Sequence, residues 1–169
     1  IASATWSADG GTIAYTVRIQ SDPTVENKPS RAELHLLNVA SGASTSFVTR
    51  GNVRLVSFRP GHNVITFLNR LENDKVIGLS GGEASLLYKF ETSISSYQWS
   101  PDGKTLGFIA TKPEVKEKAA LPYSPVLYEQ NLSVQRIYMV EPGQGEAREL
   151  TVDGHFSALE WSPDGKKLI

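Results

Sequence analysis

The sequence predicts an all-β fold made of repeated antiparallel sheets, and three observations support this prediction. An aromatic residue, a tight turn and an alternating apolar run recur four times, and the third copy reads SSYQWSPDGKTLGFIA. The equivalent turn positions 10, 62, 103 and 165 lie 52, 41 and 62 residues apart. Between the copies only one segment, in the third unit, has a helix-like pattern. A regular period with so little helix is typical of radially stacked sheets.

The four copies share one pattern of side chains around the turn. An aromatic residue precedes the turn, at Trp6, Phe58, Trp99 and Trp161. An aliphatic residue follows it, at Ile13, Ile65, Leu106 and Leu168, and another aromatic comes two residues later, at Tyr15, Phe67 and Phe108. The residues between these two positions are Ala14, Thr66 and Gly107. Because side chains alternate along a strand, this last set should occupy the opposite face. We expect the first aromatic to pack across the hairpin.

The turn residues predict two kinds of hairpin. In Ser100-Pro101-Asp102-Gly103, Pro sets φ for the first central position of a type I turn, and Gly accepts the left-handed conformation that follows. Such a turn joins two antiparallel strands. In the second copy, Arg59-Pro60-Gly61-His62, Gly comes one position earlier, which favours a type II turn.

The spacing of the copies predicts a β-propeller. A four-stranded propeller blade takes about 40 to 50 residues, and the middle spacing of 41 falls in this range. We therefore expect a partial β-propeller of about three four-stranded antiparallel blades, at 1–50, 51–91 and 92–152. The start of a fourth blade is expected at 153–169.

Each of the three units should contribute four strands. In the first unit we expect strands at 2–7, 12–19, 32–39 and 44–49. In the second unit we expect strands at 53–58, 64–69, 75–79 and 84–90. In the third unit we expect strands at 95–99, 105–110, 135–140 and 147–151.

One segment of the third unit favours a short helix over residues 113–120. Thr111-Lys112-Pro113-Glu114 has the form of a capping box with Pro at the first helical position. Glu114 and Lys118 are spaced as an i, i+4 pair, and Pro122 ends the segment. A blade insertion of this kind is expected on the rim of a propeller.

The composition excludes several classes of function. The chain has 169 residues, a formal net charge of −1 and no cysteine. No basic stripe suggests a nucleic-acid partner, and no apolar run approaches the roughly 20 residues of a membrane span. Without cysteine there is no disulfide, thiolate metal site or cysteine nucleophile. We expect neither a nucleic acid nor a membrane as partner, and the compartment stays open between cytoplasm and periplasm or secretion.

The motifs of the third and fourth units resemble a known group of propellers. WSPDGKTLGFIA and WSPDGKKLI are similar to the repeat of TolB-type propellers, and the same repeat builds the non-catalytic domain of prolyl oligopeptidase family serine peptidases. The third unit continues with FIAT, the insert KPEVKEKAALPYSPVLYEQN and then VQRIYMVEPGQGEARELT. This order resembles the early blades of acylaminoacyl and dipeptidyl peptidases, and the likeness spans nearly the whole chain.

The resemblance implies a function that depends on a second domain. In such peptidases the propeller covers the active site of an α/β-hydrolase domain of the same polypeptide and restricts access to short peptides. The G-x-S-x-G motif of that domain does not occur in these 169 residues, so this chain alone should be inactive. No cofactor is implied. The alternative is a TolB-like binding propeller that serves as a protein-interaction scaffold. A sugar-processing or lyase propeller would require clustered catalytic residues, which the sequence does not indicate.

Few residues qualify as site candidates. The histidines His35, His62 and His155 lack any nearby arrangement of Ser and acid, so no catalytic residue is predicted. Asp9, Asp102 and Asp164 recur at matching turn positions, and turn chemistry explains them better than a metal site does. The resemblance to dipeptidyl peptidases nominates only Glu129, in the insert, as a residue that could hold the free amino terminus of a substrate.

The number of repeats also predicts that copies of the chain associate with one another. Three blades and the start of a fourth do not close a ring, so the chain is expected to be an incomplete propeller domain, such as a fragment of a longer polypeptide. Uncovered blade faces promote association. We therefore expect self-association through the open blade faces.

Overall fold

The computed structural model describes residues 1–22, 24, 30–70, 75–80, 83–113, 134–150, 154 and 156–169. These residues form strands and connecting segments and contain no helix. The strands are β1 Ser3–Trp6, β2 Thr12–Ile19, β3 Arg31–Asn38, β4 Ser44–Val48, β5 Val53–Phe58, β6 Ile65–Asn69, β7 Lys75–Ser80, β8 Glu83–Tyr88, β9 Ile94–Trp99, β10 Leu106–Thr111, β11 Gln135–Val140 and β12 Arg148–Leu150.

The strands form three antiparallel sheets of four strands each, in chain order. Sheet 1 has the order β1-β2-β3-β4, sheet 2 the order β5-β6-β7-β8 and sheet 3 the order β9-β10-β11-β12. Within each sheet, strands that follow one another in sequence are paired, and the predicted all-β fold of four-stranded sheets is confirmed. The helix expected over 113–120 lies, from residue 114 onward, outside the described residues.

The first hairpin of each sheet has the predicted register. Trp6 pairs with Ile13, Phe58 with Ile65 and Trp99 with Leu106 across their hairpins. In the fourth copy Trp161 and Leu168 form an isolated antiparallel bridge at the same position. The fourth copy therefore begins the same hairpin as the other three.

The turns differ as their sequences predict. The amide of Gly103 donates to the Ser100 carbonyl at 2.8 Å, and Gly103 has a φ of 68° just after the central pair. In the second copy the His62 amide donates to the Arg59 carbonyl at 3.1 Å, and the positive φ of 69° falls on Gly61 instead. A positive φ at the second central position identifies the type II turn.

The sheets stack face to face, and each interface buries its own apolar cluster. Sheets 1 and 2 enclose Ala14, Leu34, Val53, Ile65 and Phe67. Sheets 2 and 3 enclose Leu68, Ile94, Tyr97, Trp99, Leu106, Phe108, Ala110, Tyr138 and Val140. Sheet 3 and the segment that follows it enclose Ile109, Ile137 and Leu159. Neighbouring residues of one strand, such as Phe108 and Ile109, thus belong to different interfaces, as strand alternation requires.

The aromatic residue before the second, third and fourth turns packs on the preceding sheet. The indole N–H of Trp99 donates to the Thr66 hydroxyl at 3.0 Å. The ring of Trp161 lies 3.5 Å from the position that a Cβ on Gly107 would take. Phe58 packs in the cluster that contains Ala14. The small residues of the repeat therefore make room for the ring of the next copy.

Candidate functional site

The two histidines that the structure describes, His35 and His62, lie in a strand and in a turn. The His35 ring, on β3, stacks on Tyr15 with a centroid distance of 5.3 Å, and its Nε2 lies 3.6 Å from a Glu33 carboxylate oxygen. His62 occupies the type II turn of the second copy. His155 and Glu129, the latter nominated for substrate binding by the resemblance, lie outside the described residues.

The recurring aspartates organise their own turns. The Ser100 hydroxyl donates to the Asp102 carboxylate at 2.5 Å, and the Lys104 amide donates to it at 3.1 Å. The hydrogen bond from Ser100 is the main cause that lowers the pKa of Asp102, and the Lys104 amide adds to it. Asp9 and Asp164 make the equivalent bonds, and their pKa values are lowered for the same reason. One oxygen of each of these carboxylates, Oδ1, is therefore already engaged in two turn hydrogen bonds.

A cleft between sheets 2 and 3 is lined by aromatic and acidic side chains. It has a volume of about 510 Å³ and is lined by Tyr88, Phe90, Tyr138, Glu91, Glu146 and Glu149, with Lys89 and Lys112 also in its lining. We call it the aromatic cleft. Tyr88 ends β8, Phe90 and Glu91 follow in the link to β9, and Glu146 precedes β12.

The rings of the aromatic cleft form one connected cluster. The centroids of Phe90 and Tyr138 are 4.5 Å apart, and those of Phe90 and Phe108 are 5.1 Å apart in an edge-to-face arrangement. Tyr88 and Tyr138 each lie within 5.5 Å of Phe108, which is fully buried beneath them. Ring pairs at these distances attract each other beyond their apolar burial, so the walls are held in place.

The tyrosines of the aromatic cleft lie in a negative electrostatic environment. Burial raises the pKa of Tyr88, and the charges of Glu146 and Glu91 raise it further, while a hydrogen bond from the Ala147 backbone opposes them. Burial likewise raises the pKa of Tyr138, with Glu149 and Glu91 adding to the effect and Arg136 opposing it. Both phenols are therefore neutral at physiological pH.

A second cleft, between sheets 1 and 2, is lined by three arginines. Arg18, Arg31 and Arg54 line a space of about 240 Å³, which we call the arginine cleft. Arg31 pairs with Glu33 at 3.2 Å. Leu55, in the same lining, has a φ of 51°, which a side chain other than Gly or Asn rarely adopts. The Tyr97 hydroxyl donates to the Leu55 carbonyl at 2.7 Å and thus helps to hold this irregular part of β5.

The described parts of the chain do not form a recognisable catalytic centre. Within the described ranges, no group of three or more His, Asp or Glu residues could hold a metal ion. The structure also has no helix, in the residues it describes, that is long and apolar enough to cross a membrane. Among the clefts that these residues form, one is aromatic and acidic and another is basic.

Comparison with known proteins gives a clear result only at the level of structure. No protein-family model and no curated protein sequence matches the chain. TolB from Acinetobacter baumannii superposes with a TM-score of 0.66 at 14% identity, over 98% of this chain and 36% of the TolB chain. The chain folds as part of a β-propeller.

Other similar structures come from enzymes with different activities. The acylaminoacyl peptidase of Pyrococcus horikoshii matches with a TM-score of 0.62 at 14% identity, over 94% of this propeller chain and 25% of the peptidase. The oligogalacturonate lyase of Vibrio parahaemolyticus matches with a TM-score of 0.67 at 14% identity, over 99% of this chain and 45% of the lyase. At such identities the likeness shows the fold alone. The propeller spans about a third of the TolB structure and a smaller share of the peptidase.

Sequence reasoning did not find the two clefts. The strand pattern places Tyr138 on β11 and Tyr88 near the end of β8, yet nothing in the pattern says that these strands face each other. Only the unit period carries a signal, because a regular period implies that the outer strands of successive sheets are neighbours. Even so, Tyr88 lies on the fourth strand of its sheet and Tyr138 on the third strand of the next, so their positions are not equivalent and the repeat alone would not bring them together.

Proposed function

We propose that this propeller is the non-catalytic part of a serine peptidase, in which it positions short peptides for a separate α/β-hydrolase domain of the same polypeptide and excludes larger substrates. The observation that carries the proposal is the order of the segments in the third unit. Its strands β10 and β11 are separated by a long charged insert, and RIYMVEPGQGEAREL follows, in a chain that superposes on an acylaminoacyl peptidase. In this view the nucleophile lies outside residues 1–169.

The arginine cleft fits a peptide substrate. Guanidinium groups bind carboxylates in a planar, two-bonded geometry, and the carboxylate of a short peptide is the group that distinguishes its end from the middle of a protein chain. Arg18 lies near the end of β2, and Arg31 begins β3. Both therefore lie at the end of sheet 1 that is farthest from the turn between β1 and β2.

The second candidate is a binding scaffold without chemistry. TolB superposes over nearly the whole chain with a TM-score of 0.66, which is at least as good as the match to the peptidase. On this alternative, the propeller binds protein partners and no hydrolase domain accompanies it.

The test uses the natural full-length polypeptide and a fluorophosphonate, which reacts covalently with activated serines. We expect one labelled serine outside residues 1–169, with the label lost when the serine of a G-x-S-x-G motif is replaced by Ala. The labelled enzyme should cleave a short peptide much faster than the same bond within a long unfolded chain. A full-length polypeptide that takes no label, together with capture of a defined protein partner, would favour the scaffold instead.

A further inference from the structure

Strand β5 contains a residue in a strained backbone conformation. Leu55 has a φ of 51°, the only positive φ of a residue other than Gly among the described residues. The pairing of β5 with β6 shifts between Arg54 and Ser57, so Leu55 lies in a β-bulge. The Tyr97 hydroxyl, on sheet 3, donates to the Leu55 carbonyl at 2.7 Å and holds the bulge in place. Strained residues that their surroundings hold in this way cluster at ligand sites.

The packing of the sheets gives no reason for a leucine at this position. Leu55 is 43% exposed and belongs to none of the three buried apolar clusters. A glycine would adopt the same φ without steric cost, because it has no Cβ. A leucine here therefore adds strain without adding to the core, whereas its exposed apolar side chain lines the arginine cleft.

The arginine cleft carries positive charge that the described residues do not balance. Its lining includes Arg18, Arg31 and Arg54, and no acidic residue of the described chain contributes to it. Arg31 pairs with Glu33 at 3.2 Å. Arg18 makes no ion pair with any described residue, so its charge remains when Arg31 is neutralised.

A carboxylate with an apolar group beside it matches both features of the arginine cleft. Guanidinium groups bind carboxylates through two parallel hydrogen bonds, and an exposed leucine gains from contact with an apolar chain. The volume of about 240 Å³ is smaller than that of pockets for drug-sized ligands, which begin at about 300 Å³. We propose that the arginine cleft binds a free carboxy-terminal residue with an aliphatic side chain. Arg18 and Arg31 bind the carboxylate, and Leu55 packs against the aliphatic side chain.

This inference deepens the proposed function and rests on it for the reaction that follows binding. It names the end of the peptide that the propeller selects, and it makes Leu55 a residue that determines specificity. Binding itself requires only residues of sheets 1 and 2. A scaffold propeller without a hydrolase domain would therefore bind the same carboxy terminus on a protein partner.

The experiment measures dissociation constants of three small probes for the natural full-length polypeptide by calorimetry. N-acetyl-leucine presents both the carboxylate and the aliphatic side chain. N-acetyl-leucine amide lacks the charge, and N-acetylglycine lacks the side chain. We expect N-acetyl-leucine to bind with a dissociation constant on the order of 1 mM. The amide should bind about tenfold more weakly, and N-acetylglycine about threefold more weakly.

Variants of the arginine cleft locate the binding of each part of the probe. Arg18→Gln should weaken N-acetyl-leucine about tenfold, while Arg148→Gln, at an exposed arginine of sheet 3, leaves the constant unchanged. Leu55→Gly should weaken N-acetyl-leucine about threefold and leave N-acetylglycine unchanged. Leu86→Ala, at an exposed leucine of β8, is the matched control for the loss of an apolar side chain.

The Leu55→Gly variant also distinguishes a role in binding from a role in the fold. Because glycine accepts a positive φ, the variant should keep or raise the melting temperature while it binds N-acetyl-leucine more weakly. A leucine that served only the fold would lower the melting temperature when it is replaced and would leave the dissociation constants unchanged.

The proposal is overturned if the wild-type polypeptide binds the amide as tightly as N-acetyl-leucine, or if folded Arg18→Gln retains the wild-type constant. Equal affinity for N-acetylglycine and N-acetyl-leucine would overturn the role of Leu55. Labelling of a hydrolase serine is measured independently. A polypeptide that binds N-acetyl-leucine but takes no label contradicts the peptidase function alone, and a labelled polypeptide that binds no probe contradicts this inference alone.

Discussion

Two tyrosines buried in the same core differ in what their hydroxyl groups meet. The Tyr97 hydroxyl lies 2.7 Å from the Leu55 carbonyl oxygen and 3.0 Å from the Thr66 hydroxyl oxygen. The Tyr138 hydroxyl has no partner among the described residues. The first therefore contributes to stability through its hydroxyl, whereas the second carries the cost of a buried hydroxyl without a hydrogen bond.

Removing each hydroxyl should thus have opposite effects. We expect Tyr97→Phe to lower the free energy of unfolding by about 1 to 2 kcal/mol, because it loses its hydrogen bonds and leaves the Leu55 carbonyl unpaired. Tyr138→Phe keeps the ring and should leave stability unchanged or raise it by up to about 1 kcal/mol. Urea unfolding of the two variants and the wild-type protein measures this difference. Equal losses at both positions would show that the Tyr138 hydroxyl has a partner in solution.

At the scale of elements, the turns of successive hairpins touch each other. The Arg59 Nε donates to the Gly103 carbonyl at 2.7 Å, and the Arg59 guanidinium lies 4.6 Å from the Trp99 ring centroid. A Cβ built on Gly103 would lie 2.1 Å from the Pro60 carbonyl oxygen, far inside van der Waals contact. The type II turn of the second copy is therefore fitted against the type I turn of the third.

Two glycines at the same turn position allow the effect of backbone strain on stability to be measured apart from the effect of this contact. Gly10 and Gly103 have nearly equal φ values of 70° and 68°, but a Cβ on Gly10 would meet nothing within 4 Å. We expect both Gly→Ala variants to lose about 1 kcal/mol from the unfavourable φ. Gly103→Ala should lose about 2 kcal/mol more, because the Pro60 carbonyl must move. Denaturant unfolding of both variants checks this, and equal losses would mean that the two turns separate easily.

Most elements could be predicted from the sequence, but their partners could not. Strand periods and turn residues placed all twelve strands of the described chain within about two residues, because these signals act over a few neighbouring residues. The alternation also assigned Thr66 to a defined face of its strand, and Trp99 was expected to pack across its own hairpin. It could not say that they meet, because contacts between sheets depend on the twist and spacing of whole blades. The aromatic cleft was missed for the same reason.

At the scale of the whole molecule, one turn chemistry is repeated in three places and should give a common response to acid. The pKa values of Asp9, Asp102 and Asp164 are all lowered from 3.8, chiefly by hydrogen bonds from Ser7, Ser100 and Ser162. A carboxylate with a depressed pKa in the folded state stabilises the protein above its unfolded pKa. This contribution is lost as the pH falls through the folded value.

The combined Asn replacements at the three turns should therefore flatten the acid side of the stability profile. We expect the wild-type protein to lose stability steadily below about pH 4, whereas the triple variant starts lower and loses less over the same range. Urea unfolding at a series of pH values measures both profiles. The Asp22 carboxylate, whose pKa is lowered by Thr24, is left intact and keeps part of the slope in both proteins. Parallel profiles would rule out the turns as the source of acid sensitivity.

Trp6 is 59% exposed, whereas Trp99, in the equivalent position of sheet 3, is 4% exposed. The difference arises because no described sheet lies on that side of sheet 1 to offer a small residue, as sheet 2 does with Thr66. We propose that this face, which also carries Tyr15, is where the expected self-association occurs.

In each unit the aromatic residue before the turn lies on the side of the preceding unit, and the small residue after the turn lies on the side of the next unit. The order of the units therefore has a direction. A copy of one unit inserted after its original would present the same two surfaces to its neighbours. Tandem duplication of the coding segment would therefore keep the contact between ring and small side chain at each new junction, whereas the fitted turns of the second and third copies would recur only where those two units adjoin. That rule gives an engineer a way to choose which units can be joined and in which order.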